Sequence, residues 1–295
     1  MKVRIGVGTG PLAGDPASLG ALVDDLDELG FDSLWLPEVL SAPTLDPLAA
    51  LAFAAAHNPH LKLGTTMLLP GRNVVRLAKQ LATLDRLSAG RLLVTFVPGL
   101  AQHPESGAVG VPGKEKGARM EEAFPLLRRL WAGESVTHDG PAGTFEGVTL
   151  APLPEQEPLE FWLGGMLPAA LDRCGRFADG WLPSSCTPEE VAAGRDVIDA
   201  AAAAAGREIS REHFGVSLAY APGPLDARLT AALGRARKGV DPATVVPAGL
   251  DGLRRSLEAF LEVGFSKFVV RPLQPAGTWR AELEALAGAV GDLQT

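Results

Sequence analysis

The sequence predicts one α/β domain over residues 1–295, a (β/α)8 TIM barrel with insertions after strands 4 and 7. Three observations carry that reading. Eight short apolar runs rich in Val, Ile, Phe and Trp alternate with segments of helical period. No linker, repeat or composition break divides the 295 residues, a length ordinary for one such barrel at about 250 residues plus insertions. Strand–helix–strand alternation demands right-handed parallel crossovers with both faces of the sheet covered. An open doubly wound sheet meets the same demand, and the count of eight favours the closed barrel.

In order, residues 3–8 form the first strand. Residues 16–29 follow as a helix with Leu19, Leu22, Val23, Leu26 and Leu29 on one face, stopped by Gly30. Strands at 31–36, 61–69 and 91–97 alternate with helices at 46–57 and 73–87. A helix at 118–131 precedes a Gly- and Pro-rich, hairpin-like insertion at 135–152. The fifth and sixth strands, 159–163 and 180–183, enclose a helix at 168–177. An Ala-rich helix at 188–205 leads to the seventh strand, 214–220. A helix at 226–238, a Pro-rich connection, a helix at 250–263, the eighth strand at 267–271 and a helix at 279–290 complete the chain.

Composition removes several function classes. At 46% apolar and 21% charged, the chain carries enough hydrophobic material for a large core. No apolar run reaches the roughly 18 residues of a membrane span. The N-terminus enters a strand pattern directly, without a secretory hydrophobic region. Two cysteines, Cys174 and Cys186, make no disulfide framework, so a cytoplasmic setting is expected. The net charge of −8 argues against sequence-independent nucleic-acid binding.

Reacting groups in such barrels lie on the loops after the strands, at their C-terminal ends. Few residues there titrate: Glu38, His103, Tyr220 and Arg271. No strand end carries a lysine for a Schiff base or a pair of histidines for a metal, so no metal site is expected. Such a pocket suits an organic cofactor that performs the chemistry itself. Gly6-Val7-Gly8-Thr9-Gly10 breaks the dinucleotide spacing at Pro11, and neither HExxH nor GxSxG occurs. His57 and His60 flank Asn58-Pro59 in a loop, and Cys174 sits at a helical core position.

Three stretches together carry a resemblance. The first is Leu63-Gly64-Thr65-Thr66-Met67-Leu68-Leu69-Pro70 with Val75-Arg76-Leu77-Ala78-Lys79-Gln80 and Leu84-Asp85-Arg86-Leu87-Ser88-Ala89-Gly90-Arg91. The second is Gly110-Val111-Pro112 with Arg119-Met120-Glu121-Glu122 and Leu130-Trp131. The third is Phe161-Trp162-Leu163-Gly164-Gly165 with Ala178-Asp179-Gly180-Trp181-Leu182-Pro183. In this order and spacing the chain resembles the bacterial-luciferase-like monooxygenase superfamily of flavin- and deazaflavin-dependent oxidoreductases.

The resemblance implies a barrel whose third strand bulges at a non-proline cis peptide, here Thr66–Met67 or the neighbouring Thr65–Thr66. Such a bond costs about 3–4 kcal/mol and needs surroundings that enforce it. It makes Thr65, Thr66 and Met67 candidates for supporting a tricyclic ring. Gly164, Gly165 and Met166 match the family's phosphate-binding turn, whose N–H groups and following helix favour an anion. Gly99 is a further cofactor candidate. Members often read Gly-Val-Gly-x-Gly around it, whereas this chain has Thr95-Phe96-Val97-Pro98-Gly99.

Glu38 falls where deazaflavin-dependent members carry an acid at the ring edge or substrate. Val39 replaces a frequent histidine, and His103 is the candidate to supply the missing proton. Arg271 is a candidate clamp for a substrate carboxylate or phosphate, or else an ion-pair partner of a loop acid. The expected activity is hydride transfer through coenzyme F420, a deazaflavin, to or from a small organic substrate. The alternatives are an FMN-dependent monooxygenase and a non-catalytic ligand-binding barrel. Family members are commonly homodimers, and no nucleic-acid or membrane partner is expected.

Overall fold

A computed structural model describes residues 1–10, 15–99, 107–237, 239–273 and 277–295. Eight parallel strands form the barrel sheet: β1 (Arg4–Gly8), β2 (Ser33–Pro37), β3 (Lys62–Leu68), β4 (Leu92–Val97), β7 (Phe161–Leu163), β8 (Gly180–Trp181), β9 (Gly215–Tyr220) and β10 (Lys267–Pro272). Their order is β8-β7-β4-β3-β2-β1-β10-β9, so each follows its chain neighbour around the sheet. Single parallel bridges from Trp181 to Phe214 and from Ser184 to Ser217 join β8 to β9 and close the ring.

Helices α1 (Pro16–Glu28), α2 (Pro47–His57), α3 (Val74–Leu87), α4 (Lys116–Trp131), α5 (Pro168–Phe177), α6 (Pro188–Ala204), α9 (Gly249–Glu262) and α10 (Trp279–Val290) cover the outside. Their starts are written locally. Asp15, Asp46, Asn73, Thr187 and Thr278 each accept a hydrogen bond from a backbone N–H of the following turn, and Thr187 with Glu190 completes a capping box. Outward strand residues such as Leu63, Met67, Val94 and Phe96 pack against helix residues such as Leu81, Leu127 and Phe124 in one continuous core.

Both insertions lie where the sequence places them. After β4 come α4 and the antiparallel hairpin β5 (Val136–Gly140) and β6 (Gly143–Val148). After β9 come α7 (Ala227–Ala236) and a one-turn helix, α8 (Pro242–Val245). The sequence reads α8 as mere connection. Asp241 caps it by accepting the Ala243 N–H, and Pro242 opens it. The sixth barrel strand is shorter than its apolar run implies. Leu182 N–H still donates to Leu163 O, but pairing then thins to the bridge at Ser184.

Candidate active site

The strand registers put Gly8, Trp35, Gly64 and Leu93 in one inward-facing row. Trp35, Leu182 and Val269, with Leu93 and Trp162 packed on them, fill the waist of the barrel. Below the waist, at the N-terminal end, lies a cavity of ≈ 200 Å³. Above it the inward residues Thr66, Leu68, Val97, Ser217, Ala219 and Arg271 are all partly exposed. Gly64, Thr95, Gly215 and Val269, one step back, are buried. That pattern marks a second hollow, open at the C-terminal strand ends where reacting groups sit in this fold. Thr95 Oγ1 lies at its base, buried and without a hydrogen-bond partner among the described residues.

One expectation is overturned. The peptide bonds from Gly64 to Leu69 are trans, and cis bonds occur among the described residues only at Ala151–Pro152 and Glu157–Pro158. β3 keeps unbroken register with β2 from Ser33↔Lys62 to Pro37↔Thr66 and with β4 from Leu63↔Leu92 to Leu68↔Val97. No bulge remains to turn the chain. Period-two alternation then separates the three candidates. The Thr65 hydroxyl donates to Leu36 O at 3.0 Å, Met67 is buried against the helices, and Thr66 alone of the three faces the mouth.

Glu38 stands at the rim after β2. Its N–H donates to Thr66 O at 2.8 Å and its Oε2 accepts the Leu68 N–H at 2.8 Å. Arg72 pairs with its Oε1 and donates from Nε to Leu68 O at 2.9 Å. Both carboxylate oxygens are therefore engaged in tying β2 to the end of β3. His103 lies outside the described residues.

Gly99 closes the β4 side of the mouth. At φ +71° it holds a conformation that favours glycine, and a Cβ there would stand 2.8 Å from Leu68 Cδ2 and 3.6 Å from Lys116 Nζ. Lys116, first residue of α4, is 3% exposed and has neither hydrogen bond nor ion pair among the described residues. The sequence reading missed it. A signal was present: Lys116 shares a helical stripe with Met120, Ala123, Phe124 and Leu127, so a lysine stands in an apolar face.

Across β4, Gly164 packs so closely that a Cβ would approach Val97 Cγ1 to 2.8 Å. Gly165 has φ +103°, and its carbonyl accepts from Trp181 Nε1 at 3.0 Å. The N–H groups of Gly165 and Met166 find no backbone acceptor among the described residues, and α5 begins just beyond without a side-chain cap. Free donors and a helix N-terminus make an anion-attracting corner. Met166 is half-buried against the core.

Arg271, next to last in β10, lays its aliphatic stem across Gly8. The ion pair with a loop acid is absent among the described residues. Burial lowers its guanidinium pKa with no carboxylate opposing the effect. Among the described residues, the mouth therefore collects two cations without an anionic partner, a corner of N–H groups without an acceptor and a hydroxyl without a hydrogen bond.

A family model described as luciferase-like monooxygenase matches residues 1–287. The F420-dependent glucose-6-phosphate dehydrogenase of Beutenbergia cavernae is 32% identical over 183 residues, 58% of this chain and 53% of that protein. The FMNH(2)-dependent dimethylsulfone monooxygenase of Pseudomonas putida is 35% identical over 136 residues, 45% of this chain and 37% of that protein. The chain spans about half the length of the curated relatives it matches. An F420-dependent secondary alcohol dehydrogenase, solved with an F420-acetone adduct, superposes at a TM-score of 0.83 with 18% identity, over 100% of both chains. That likeness concerns the fold.

Proposed function

The chain belongs to the luciferase-like monooxygenase family, and from that premise we propose that it is an oxidoreductase holding a deazaflavin, coenzyme F420, in the C-terminal mouth. The observation that carries this reading is the pair of cations at the mouth, Lys116 and Arg271, neither with an anionic partner among the described residues. A charge withdrawn from water without a counter-ion is costly, so an anionic ligand is the natural complement. The mouth fits such a group chemically. It offers N–H donors at Gly165 and Met166, close backbone approach at Gly99 and Gly164, and an apolar wall from Leu68 and Val97.

When bound, the deazaflavin ring supplies two-electron hydride chemistry. The Gly165 and Met166 N–H groups and Lys116 would hold the coenzyme's anionic phosphate. Thr66 of β3 would support the coenzyme from the barrel wall, while Leu68 and Val97 would keep water from that side. Glu38 acts as a positioning residue, since its carboxylate, spoken for by Arg72 and the Leu68 N–H, fixes the end of β3. Arg271 faces the substrate side and orients a carboxylate, phosphate or polarised carbonyl there. His103 remains the candidate proton donor.

Titration of the purified chain with F420 and with FMN, read by fluorescence, tests the proposal. Saturable F420 binding that weakens in Lys116→Met is expected. Tight FMN binding with no F420 response replaces the coenzyme and admits oxygen chemistry, which deazaflavins scarcely support. Failure to bind either one overturns the reading.

A further inference from the structure

We propose that the cavity at the opposite, N-terminal end of the barrel is a second binding site, for a small organic cation: a primary amine carried on one aromatic ring. Its volume of ≈ 200 Å³ suits a single-ring body, since a dry apolar cavity of about 150 Å³ accommodates benzene. Its inner wall is the underside of the waist, where Trp35, Leu93, Trp162, Leu182 and Val269 present apolar surface and two indole rings. Indole faces attract organic ammonium groups.

Charge at the rim selects the sign of the ligand. Each rim cation already has an anion. Arg4 Nε and Lys62 Nζ stand 3.4 and 3.0 Å from Asp32 Oδ1, and Lys267 Nζ stands 2.6 Å from Glu212 Oε2. Glu160 differs. Its closest cationic neighbour among the described residues, His213 Nδ1, is 3.8 Å away, beyond hydrogen-bonding distance. That nitrogen lies 3.0 Å from the Asp179 carbonyl oxygen, which can only accept, so its hydrogen is committed elsewhere. Burial raises the Glu160 carboxyl pKa and the Asp179 carboxylate adds to the rise, while His213, Arg128 and a hydrogen bond from Trp162 oppose it without cancelling it. An ammonium at Glu160 with its ring against Trp162 and Trp35 meets both needs. This site is independent of the coenzyme reading, because the waist separates it from the mouth.

Calorimetric titration of the full chain with 2-phenylethylamine, its anionic counterpart phenylacetate and neutral ethylbenzene at pH 7 is the test. The amine is expected to bind at least tenfold tighter than either of the others. Glu160→Gln is expected to abolish that preference while leaving thermal unfolding cooperative and F420 or FMN titrations unchanged. Trp162→Leu, as a second variant, is expected to weaken the amine at least tenfold with Glu160 intact. Equal binding of phenylacetate, no heat from the amine at millimolar concentration, amine affinity unchanged in Glu160→Gln, or displacement of the amine by F420 or FMN would each overturn the site.

Discussion

Trp35 packs so closely on Gly64 that a Cβ on Gly64 would stand 2.2 Å from the indole Cδ2 and 2.3 Å from Cε2. The same indole is held by a hydrogen bond from its Nε1 to Ser33 Oγ at 3.0 Å. Its remaining freedom is toward the N-terminal cavity that it lines. Gly64→Ala is expected to lower unfolding stability by about 1–3 kcal/mol, the usual cost of overpacking a fixed core. A urea-unfolding midpoint indistinguishable from the parent chain would show that Trp35 moves aside. Because the waist separates the two hollows, this variant also tests whether their division depends on that contact.

Lys116 and Arg271 should trade stability for binding. Replacing either by methionine removes a desolvated cation without an anionic partner among the described residues, so stability is expected to hold or rise. A charge-assisted hydrogen bond is worth about 1.5–3 kcal/mol, so coenzyme affinity in Lys116→Met should fall about 10- to 100-fold. In Arg271→Met the loss should appear in substrate KM, with coenzyme affinity retained. Parallel thermal melts and titrations check both variants. A melting point that collapses together with affinity would assign the cations to the fold alone.

Much of this arrangement was legible in the sequence, and the reason is periodicity. Runs such as Leu92–Val97 and stripes such as Leu77, Leu81 and Leu84 report local geometry, so eight strands and their helices could be counted directly. The rim residues Glu38, Gly99, Gly164 and Arg271 followed from the rule that strand ends carry the site. What escaped was relational. Nothing local to Glu38 announces Arg72 as the partner of its carboxylate, because that pair joins residues 34 apart. The expected cis bond in β3 came from resemblance, and the paired register on both sides overrides it. Lys116 was passed over because it opens a helix instead of ending a strand.

Asp85 offers a sharper structural test than any rim residue. It is fully buried in α3 and accepts three hydrogen bonds: the N–H of Glu155 at 2.8 Å, the N–H of Gln156 at 2.9 Å and Gln156 Nε2 at 2.6 Å. It thereby anchors the loop that leads from the hairpin into β7. Asp85→Ala strands three donors, each costing about 1–3 kcal/mol when left unmade, so a loss of at least about 3 kcal/mol is expected. Denaturant unfolding of this variant, beside Asp85→Asn as the milder change, measures it. Equal stabilities for alanine and parent would mean that water replaces the carboxylate without penalty.

The two thiols set an alkaline limit on stability. Burial pushes Cys186 up to about 12, with the Glu190 carboxylate adding to the rise and Arg237 opposing it, and burial raises Cys174 as well. An acid whose folded pKa lies above its unfolded value contributes stability that is fully present below the unfolded pKa, near 9. The contribution is lost as pH climbs from there towards 12, because the unfolded chain releases a proton that the folded chain keeps. Each such thiol should tilt the stability curve downwards by about 1.4 kcal/mol per pH unit in that window. Cys186→Ala should remove about one proton's worth of slope from urea unfolding between pH 9 and 11. In the native chain at pH 8, iodoacetamide should label neither Cys174 nor Cys186, and in urea both. Rapid native labelling, or a slope unchanged in Cys186→Ala, would place these thiols outside the sealed core.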